Sequence, residues 1–294
     1  MSALGATGTT STTSAMSATN VGGPGVALPF KAMGATTIAS DARAEGTGFD
    51  AMLRVEGLSK SFGGLRVTRA VDLAIARGER HLLIGPNGAG KTTLFNLIAG
   101  DLRADAGRIL LGDVDVTRES TAHRAQRGVA RTYQIVTLFG RDPLLHNVKL
   151  ALLGRSSLRW RPWGSFANDA ALRERALAVL DSVGLAAKAD LPLEQTSYGE
   201  KRRLEIAMAL AQSPRLLLLD EPLAGLSSPE RATITELLGG ISRDITIVMI
   251  EHDMQAALAF ADRVTLLHQG EVIVAGTRAD VVGDPRTREI YLGH

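Results

Sequence analysis

The chain has 294 residues, of which 45% are hydrophobic and 22% charged, so it can bury the core of one large domain or two smaller ones. Cysteine is absent, which excludes disulfide bonds, thiolate metal sites and cysteine nucleophiles. The formal net charge is only +2, and basic residues are interleaved with acidic ones, so a nucleic-acid-binding surface is not indicated. No apolar run reaches the length of a membrane span.

The first 50 residues differ in composition from the rest of the chain. Residues 1–30 have no charged side chain, are rich in Ala, Thr, Ser and Gly, and show no sustained period. They lack the basic start and compact apolar stretch of a secretory signal. We therefore predict a flexible tail over residues 1–50 and a folded domain over residues 51–294. Two alternatives stay open: an over-long gene start, because Met52 immediately precedes the first strand-like segment, or a tail with its own function.

Strands dominate the first part of the folded domain. Residues 53–62 and 65–79 alternate between apolar and polar side chains, as half-buried strands do. A short buried strand over 80–85 then runs into a glycine-rich loop and a helix over 91–100. Residues 107–116 are typical of a hairpin strand.

The pattern becomes helical over residues 140–213. Within it, residues 168–183 are amphipathic, and one face consists of Ala171, Leu172, Ala176, Val179 and Leu180. Three strand–helix units follow, with strands over 215–220, 245–253 and 263–276. Uniformly apolar strands that alternate with helices predict an α/β fold with a mainly parallel sheet covered on both faces. The helical stretch between strands is then an inserted subdomain.

The loop "GPNGAGKT" fits the pattern G-x-x-x-x-G-K-[ST] and lies between a predicted strand and a predicted helix. Its glycines allow backbone N–H groups to surround phosphates, Lys91 reaches the β- and γ-phosphates, and the Thr92 hydroxyl ligates Mg²⁺. A glycine-rich turn that precedes Lys-Thr by chance would not need these flanking elements. The predicted ATP-binding residues here are Gly85, Pro86, Asn87, Gly88, Ala89, Gly90, Lys91, Thr92 and Thr93.

The segment "LLLLDE", residues 216–221, is an apolar strand that ends in two carboxylates. At the C-terminal edge of a parallel sheet, Asp220 would lie beside the glycine-rich loop and hold Mg²⁺ through water. Glu221 is then placed to orient and deprotonate an attacking water molecule. Such a run is often only a strand that leaves the core, but its position after the phosphate loop favours the functional interpretation.

A second anion-binding pattern occurs in "TSYGEKR", residues 196–202. Ser197 can cap a helix, and Gly199 replaces a better helix former in the first turn, which leaves backbone N–H groups free beside a hydroxyl. Helix starts of this kind bind anions. Because the chain already has a phosphate loop, this helix start raises the question of whose phosphate it binds.

These motifs together resemble the ATP-binding cassette (ABC) ATPases. The signature L-S-G-G-Q of that family maps onto residues 196–200, with Thr, Tyr and Glu replacing Leu, the first Gly and Gln. P-loop kinases and small GTPases have no second phosphate-binding helix start. The resemblance implies a P-loop NTPase core with a mainly parallel sheet, an antiparallel β subdomain and the inserted helical subdomain. It also implies that Ser197 and Gly199 hold the γ-phosphate of ATP bound to the partner subunit.

Other family residues follow from the same resemblance. Gln134, in "GVARTYQ", matches a glutamine that senses Mg²⁺ and water and links to the transporter. His252 matches the histidine that contacts the γ-phosphate. Phe62 matches the aromatic residue that stacks on adenine, although a core phenylalanine stays an open alternative. Ser227 stands where the general family has aspartate, which puts the usual contact across the dimer in doubt.

The resemblance covers residues 53–293 and extends to a subfamily. "FGGL", "GVARTYQ", "TSYGEKR", "AGLS", "IEHDM" and "REIYLGH" are similar to the ATPase subunits of importers for branched-chain amino acids, urea or short amides. This implies ATP and Mg²⁺ as ligands, integral membrane permease subunits as partners, and an extracytoplasmic binding protein as an indirect partner. It also implies a dimer, with an identical chain or a second ABC ATPase, at the cytoplasmic face of the inner membrane, and no nucleic-acid partner.

Two other functions stay open. An ATPase subunit of a lipopolysaccharide or lipid exporter is similar around "GPNGAGKTT" and "YLG". It ranks second because its signature is usually nearer the general form and it lacks the "ARTYQ" pattern. A soluble ABC ATPase without a transporter usually has two cassettes or a long coiled-coil insertion, and this sequence has neither. The stretch "GRSSLRWRPWGSF", residues 154–166, contains both tryptophans, Trp160 and Trp163. They are predicted either to anchor the membrane partner or to pack on the helical subdomain.

Overall fold

The computed structural model describes residues 50–132, 139–154, 169–252 and 254–292. Three predictions therefore lie outside the described residues: the tail before Asp50, the role of Gln134, and the placement of Trp160 and Trp163.

The strands form two sheets. The antiparallel sheet contains β1 (Ala51–Phe62), β2 (Leu65–Ala76), β4 (Ala106–Leu111) and β5 (Val114–Asp115), in the order β2-β1-β4-β5. The larger sheet contains β3 (Arg80–Ile84), β6 (Val129–Arg131), β7 (Leu216–Asp220), β8 (Thr246–Ile250), β9 (Arg263–His268) and β10 (Glu271–Thr277). Its order is β10-β9-β3-β8-β7-β6, and all neighbouring pairs except β10 with β9 are parallel. The architecture is thus α/β with a mostly parallel sheet and a separate antiparallel sheet.

The helices connect and cover these strands. They are α1 (Lys91–Ala99), α2 (Thr121–Gln126), α3 (Leu144–Gly154), α4 (Ala170–Ser182), α5 (Tyr198–Ala211), α6 (Ser228–Gly239), α7 (Met254–Phe260), α8 (Arg278–Gly283) and α9 (Pro285–Leu292). Within the described ranges, no helix combines the length and the apolar character that a membrane span requires.

The predicted third strand–helix unit is instead a hairpin. Residues 263–276 form the two antiparallel strands β9 and β10, with His268 paired to Glu271 across a two-residue turn. Both turn residues have positive φ, 49° for Gln269 and 83° for Gly270. Two left-handed residues match the twist of a tight hairpin, and glycine adopts this conformation without strain. The expectation of one long strand here was wrong because it gave no weight to the Gln-Gly pair.

Strand β7 explains why the central strands are apolar throughout. Leu216 and Leu218 point into a core shared with the antiparallel sheet and α1, whereas Leu217 and Leu219 point into a core with α5, α6 and α7. Successive side chains of a strand face opposite sides of its sheet, so a sheet covered on both faces needs an unbroken apolar run. This packing fixes the end of β7, where Asp220 lies, at the C-terminal edge of the sheet.

Helices α3, α4 and α5 enclose a third hydrophobic core, which contains Leu145, Leu172, Leu180 and Leu204. On α4, four of the five residues predicted to share a face are buried. Ala171 is exposed. It precedes Leu172 by one residue, and a step of about 100° around the helix moves its side chain off the buried face.

Candidate active site

The phosphate loop connects β3 to α1. Gly85 begins the loop with a φ of 150°, and a Cβ atom there would lie 2.0 Å from the backbone oxygen of Leu267 on β9. Only glycine fits this approach. Helix α1 starts at Lys91 behind Gly90, without a side-chain cap or an acidic residue in its first turn. Its N-terminal N–H groups therefore remain available to an anion.

Lys91 closes over this loop. Its Nζ atom donates hydrogen bonds to the backbone oxygens of Gly85 at 2.7 Å and Pro86 at 3.0 Å. Burial lowers the pKa of Lys91, while the carboxylates of Glu221 and Asp220 oppose that shift. The ammonium group is thus near both predicted acidic residues, which brings the phosphate loop and the end of β7 together.

The remaining loop residues differ in exposure. Asn87, Gly88 and Thr92 are exposed, whereas Ala89 is buried and Thr93 half-buried. Thr92 is thus an exposed residue in the first turn of α1.

Asp220 ends β7 and is 2% exposed. Burial raises the pKa of its carboxyl group, and a hydrogen bond from Arg131 opposes that rise. Arg131 Nη2 lies 3.0 Å from Asp220 Oδ2, and this guanidinium also donates to Asn96 and Asp101 around the end of α1. Arg131, the only charged residue in strand β6, was not among the site residues predicted from the sequence.

The donor set fits a magnesium ion bound mainly by phosphates. Thr92 and Asp220 offer hydroxyl and carboxylate oxygens, the hard ligands that Mg²⁺ prefers. Across the described ranges, no group of three or more His, Asp or Glu side chains is arranged to hold a metal by itself. Mg²⁺ usually takes only one or two protein ligands and completes its shell with phosphate and water oxygens.

Glu221 and His252 form a hydrogen-bonded pair. The Glu221 Oε1 and His252 Nε2 atoms are 2.9 Å apart, and both side chains are partly open to solvent. Glu221 has a φ of 48°, a left-handed conformation that costs a residue other than glycine about 1–3 kcal/mol. Its N–H donates to the backbone oxygen of Ile250 at 2.9 Å. The strained backbone therefore holds the carboxylate beside the histidine.

Phe62 lies at the end of β1 and is 47% exposed, so its ring is not part of the core. The Lys60 ammonium lies 5.6 Å from the ring centroid. An exposed aromatic ring with a cation over it presents a face on which a flat base can stack.

The backbone N–H groups at the start of α5 were predicted to be free to bind a phosphate, but they are hydrogen-bonded within the chain. Ser197 caps α5, and its hydroxyl and N–H exchange hydrogen bonds with Glu200 in a capping box. The Gly199 N–H, predicted to be free, donates to Glu230 Oε1 at 3.2 Å. Glu230 also caps α6 through the N–H and hydroxyl of Ser227. A carboxylate thus lies where the helix start would accept a phosphate.

The C-terminal helix also reaches this site. Burial raises the pKa of the Tyr291 phenol, and a hydrogen bond with the backbone of Gly85 opposes that rise. Tyr291 of α9, 39% exposed, therefore lies near Gly85 of the phosphate loop. Tyr291 was not predicted to lie in the site, because no spacing rule relates a C-terminal tyrosine to a loop so distant in the sequence.

A glycine loop that opens a helix, beside two carboxylates at the end of a parallel strand, defines a nucleotide-hydrolysing protein of the phosphate-loop class. Residues 68–224 match the model of the ABC transporter family. The chain belongs to this family and is an ATP hydrolase of the ABC type.

Two curated relatives with the same sequence identity to this chain belong to different transport systems. It is 36% identical over 250 residues to the high-affinity branched-chain amino acid transport ATP-binding protein LivG of Escherichia coli K12, covering 82% of this chain and 98% of LivG. It is also 36% identical over 243 residues to the lipopolysaccharide export system ATP-binding protein LptB of Acidithiobacillus ferridurans, covering 82% and 97%. The transported substrate differs between these relatives.

Solved ATP-binding cassettes share the fold. The ADP conformation of MJ1267, a cassette of an ABC transporter, has a TM-score of 0.73 at 29% identity and covers 83% of this chain and 99% of that chain. The dimeric post-hydrolysis cassette MJ0796, bound to ADP and phosphate, has a TM-score of 0.66 at 27% identity and covers 77% and 99%. Nucleotide binding is thus common to the family and to these structural neighbours.

Proposed function

We propose that the chain is the ATP-hydrolysing subunit of an ABC importer for branched-chain amino acids or related small solutes such as urea and short amides. The main support is the placement of the Glu221–His252 pair beside Lys91 and the phosphate loop, because this arrangement suits hydrolysis and not binding alone. The similarity to LivG over nearly the whole folded chain supports the solute class.

ATP binding uses the groups that surround the phosphate loop. The N–H groups at the start of α1 and the Lys91 ammonium hold the β- and γ-phosphates, and Phe62 stacks on adenine. Thr92 and Asp220 would hold Mg²⁺, Asp220 through water, and Gln134 would be the third contact. The bound ion would neutralise phosphate charge during transfer.

In the hydrolytic step, Glu221 takes a proton from the attacking water as the water oxygen bonds to the γ-phosphorus. The bond from this phosphorus to the bridging oxygen breaks, which releases ADP and phosphate. His252 contacts the γ-phosphate and, through its hydrogen bond to Glu221, fixes the direction of the carboxylate.

Two cassettes are needed for each complete site. Ser197 and Gly199 serve the ATP on the partner cassette, so two chains enclose two ATP molecules head to tail. The dimeric state of MJ0796 supports this arrangement. The partner cassette is an identical chain or a related second ABC ATPase.

The cassette pair works at the cytoplasmic face of the inner membrane, bound to integral permease subunits. ATP binding closes the pair and hydrolysis reopens it, and this movement drives the permease. An extracytoplasmic binding protein delivers the solute and contacts the cassette only through the permease. The similarity to LptB makes lipopolysaccharide or lipid export the second candidate function.

The direct test of the chemistry is Glu221→Gln. We expect turnover to fall by roughly 10²–10⁴ while ATP binding is retained, since the amide cannot accept the proton. Glu174→Gln, an exposed change on α4, is the matched control and should leave hydrolysis unchanged. Hydrolysis by Glu221→Gln at the wild-type rate would reject the assignment of Glu221 as the general base.

The test of the transport role uses the complex. The cassette is co-purified with its membrane subunits, reconstituted in vesicles and assayed for ATP hydrolysis. We expect stimulation by the binding protein loaded with a branched-chain amino acid, urea or a short amide. Stimulation by lipopolysaccharide alone would instead support the exporter.

A further inference from the structure

Arg202 is a buried cation that connects the signature helix to the catalytic strand end. It lies on α5, one turn after Gly199, and is 3% exposed. Its Nη2 atom donates to the backbone oxygens of Asp220 at 2.9 Å and Glu221 at 2.5 Å, and its Nε atom donates to that of Pro222 at 3.2 Å. One side chain therefore contacts three successive carbonyl groups around the proposed general base.

The charge of Arg202 is balanced within the same helix. Its Nη1 atom donates to Glu205 Oε2 at 2.7 Å, and both side chains are almost fully buried. Burial raises the pKa of Glu205, and the guanidinium opposes that rise. The planar guanidinium can donate to a carboxylate from one nitrogen and to backbone carbonyls from the other two. A lysine ammonium cannot reproduce this geometry.

The backbone that Arg202 contacts is strained and held from a second side. Glu221 has its left-handed φ of 48° between two fixed points, the N–H bond to Ile250 and the carbonyl bond to Arg202. The next turn is held by Glu251, whose Oε1 accepts the Leu223 N–H at 2.6 Å. A residue in this conformation persists only where its surroundings over-determine it.

We propose that Arg202 is a positioning residue for hydrolysis, which fixes the backbone of Glu221 so that its carboxylate meets His252 and the attacking water. It would act indirectly, through the backbone carbonyls of Asp220, Glu221 and Pro222 that its guanidinium contacts. The inference rests on the proposed role of Glu221 as general base. The helix that carries Ser197 and Gly199 would thus also set the backbone geometry of Glu221 in its own chain.

The test begins with Arg202→Lys, which keeps the charge beside Glu205 but loses the multiple carbonyl contacts. We expect kcat to fall by about ten- to hundredfold, the cost of a small misplacement of a reacting group. The KM for ATP and the Kd of a fluorescent ATP analogue should stay within about twofold, because the phosphate loop is unchanged. Arg203→Lys is the matched control, since Arg203 contacts Val183 and Glu200 on the helical subdomain.

A double-mutant comparison separates positioning from general stability. In the Glu221→Gln background, Arg202→Lys should cause no further loss of kcat, because the group it positions is already gone. If Arg202 had a merely structural role, Arg202→Lys would lower kcat by the same factor in the wild-type and Glu221→Gln backgrounds. An equal loss in both backgrounds, or a kcat of Arg202→Lys within twofold of wild type, would overturn the inference.

A second variant covers the case in which Arg202→Lys folds poorly. Arg202→Gln with Glu205→Gln removes both buried charges together and leaves no unpaired carboxylate, with Glu205→Gln alone as its control. Rates are divided by the concentration of nucleotide-binding sites. If Glu221→Gln alone hydrolyses ATP normally, the proposed function fails; if only the Arg202 variants behave normally, this inference alone fails.

Discussion

Glu230 shows how a single residue competes with the proposed substrate. Its carboxylate accepts the Gly199 N–H at the start of the signature helix, and its second oxygen holds Ser227. Hydrogen bonds from Ser227, and to a smaller extent from Gly199, lower the pKa of the Glu230 carboxyl group, which favours its anionic form. A partner's γ-phosphate would have to displace this anion from the same N–H group.

We therefore expect Glu230→Gln to favour the ATP-bound dimer. The neutral amide is a weaker acceptor, and the ATP concentration for half-maximal dimerisation should fall by about three- to tenfold. The measurement is size-exclusion chromatography at several ATP concentrations in the Glu221→Gln background. Asp280→Asn is the control, because Asp280 forms the same capping box with Thr277 on α8. A higher ATP requirement for Glu230→Gln would contradict the competition.

Residues whose placement follows from local spacing could be predicted from the sequence. Lys91 and Asp220 sit in motifs that fix both their secondary structure and their neighbours along the chain, and the structure brings them together. Arg131, Arg202 and Glu230 could not be identified in this way. Their partners are carboxylates, carbonyls and N–H groups that only the tertiary fold places opposite them.

At the scale of elements, helix α1 depends on a cation from another helix. Arg124 of α2 is 1% exposed and donates to the backbone oxygens of Leu97 at 2.5 Å and Ile98 at 2.7 Å. It also donates to the oxygens of Thr117 and Glu119. A cation at the C-terminus of a helix meets the negative end of its dipole and satisfies its last carbonyls. The helix that begins with Lys91 is thus fixed at its other end.

We expect Arg124→Met to destabilise the protein by about 3 kcal/mol, since buried carbonyls lose their donor and cannot reach water. For a domain of this size the Tm should fall by roughly 6–12 °C, measured by calorimetry. Arg127→Met is the control on the same segment. Arg127 pairs with Glu119 on the surface, and its loss should change the Tm by less than about 2 °C. Equal Tm values for both variants would reject this role of Arg124.

Elements with strong periodicity were predicted well. The central strands could be identified because a sheet covered on both faces requires continuous apolar runs, and α4 because its buried face repeats at helical spacing. The β9–β10 hairpin was not predicted, because two apolar runs in sequence were interpreted as one strand. The Gln269-Gly270 pair between them was the only local indication of the turn. The position of Ala171 was wrong because a single alanine carries little information about the face on which it lies.

For the whole molecule, the two helix starts that we propose to bind phosphate belong to different parts of the chain. Lys91 begins α1, which packs on the core of the main sheet, while Ser197 and Gly199 begin α5, which closes the helical core around Leu204. Ser197 exchanges hydrogen bonds with Glu200, the Gly199 N–H donates to Glu230, and Lys91 donates to its own loop. This separation favours sites that are completed by a second chain.

Mixed dimers test this composite site. One variant carries Ser197→Arg with Gly199→Asp, which places bulk and negative charge at the signature, and the other carries Lys91→Ala, which removes the phosphate-loop ammonium. Each variant alone should be inactive, because both of its composite sites are damaged. A mixed dimer keeps one complete site, formed by the intact phosphate loop of the first variant and the intact signature of the second.

We therefore expect an equimolar mixture to recover part of the wild-type ATP hydrolysis, measured as phosphate release. Cross-linking confirms that mixed dimers form. A mixture that contains mixed dimers but hydrolyses no more ATP than the separate variants would show that the signature does not serve the partner's nucleotide.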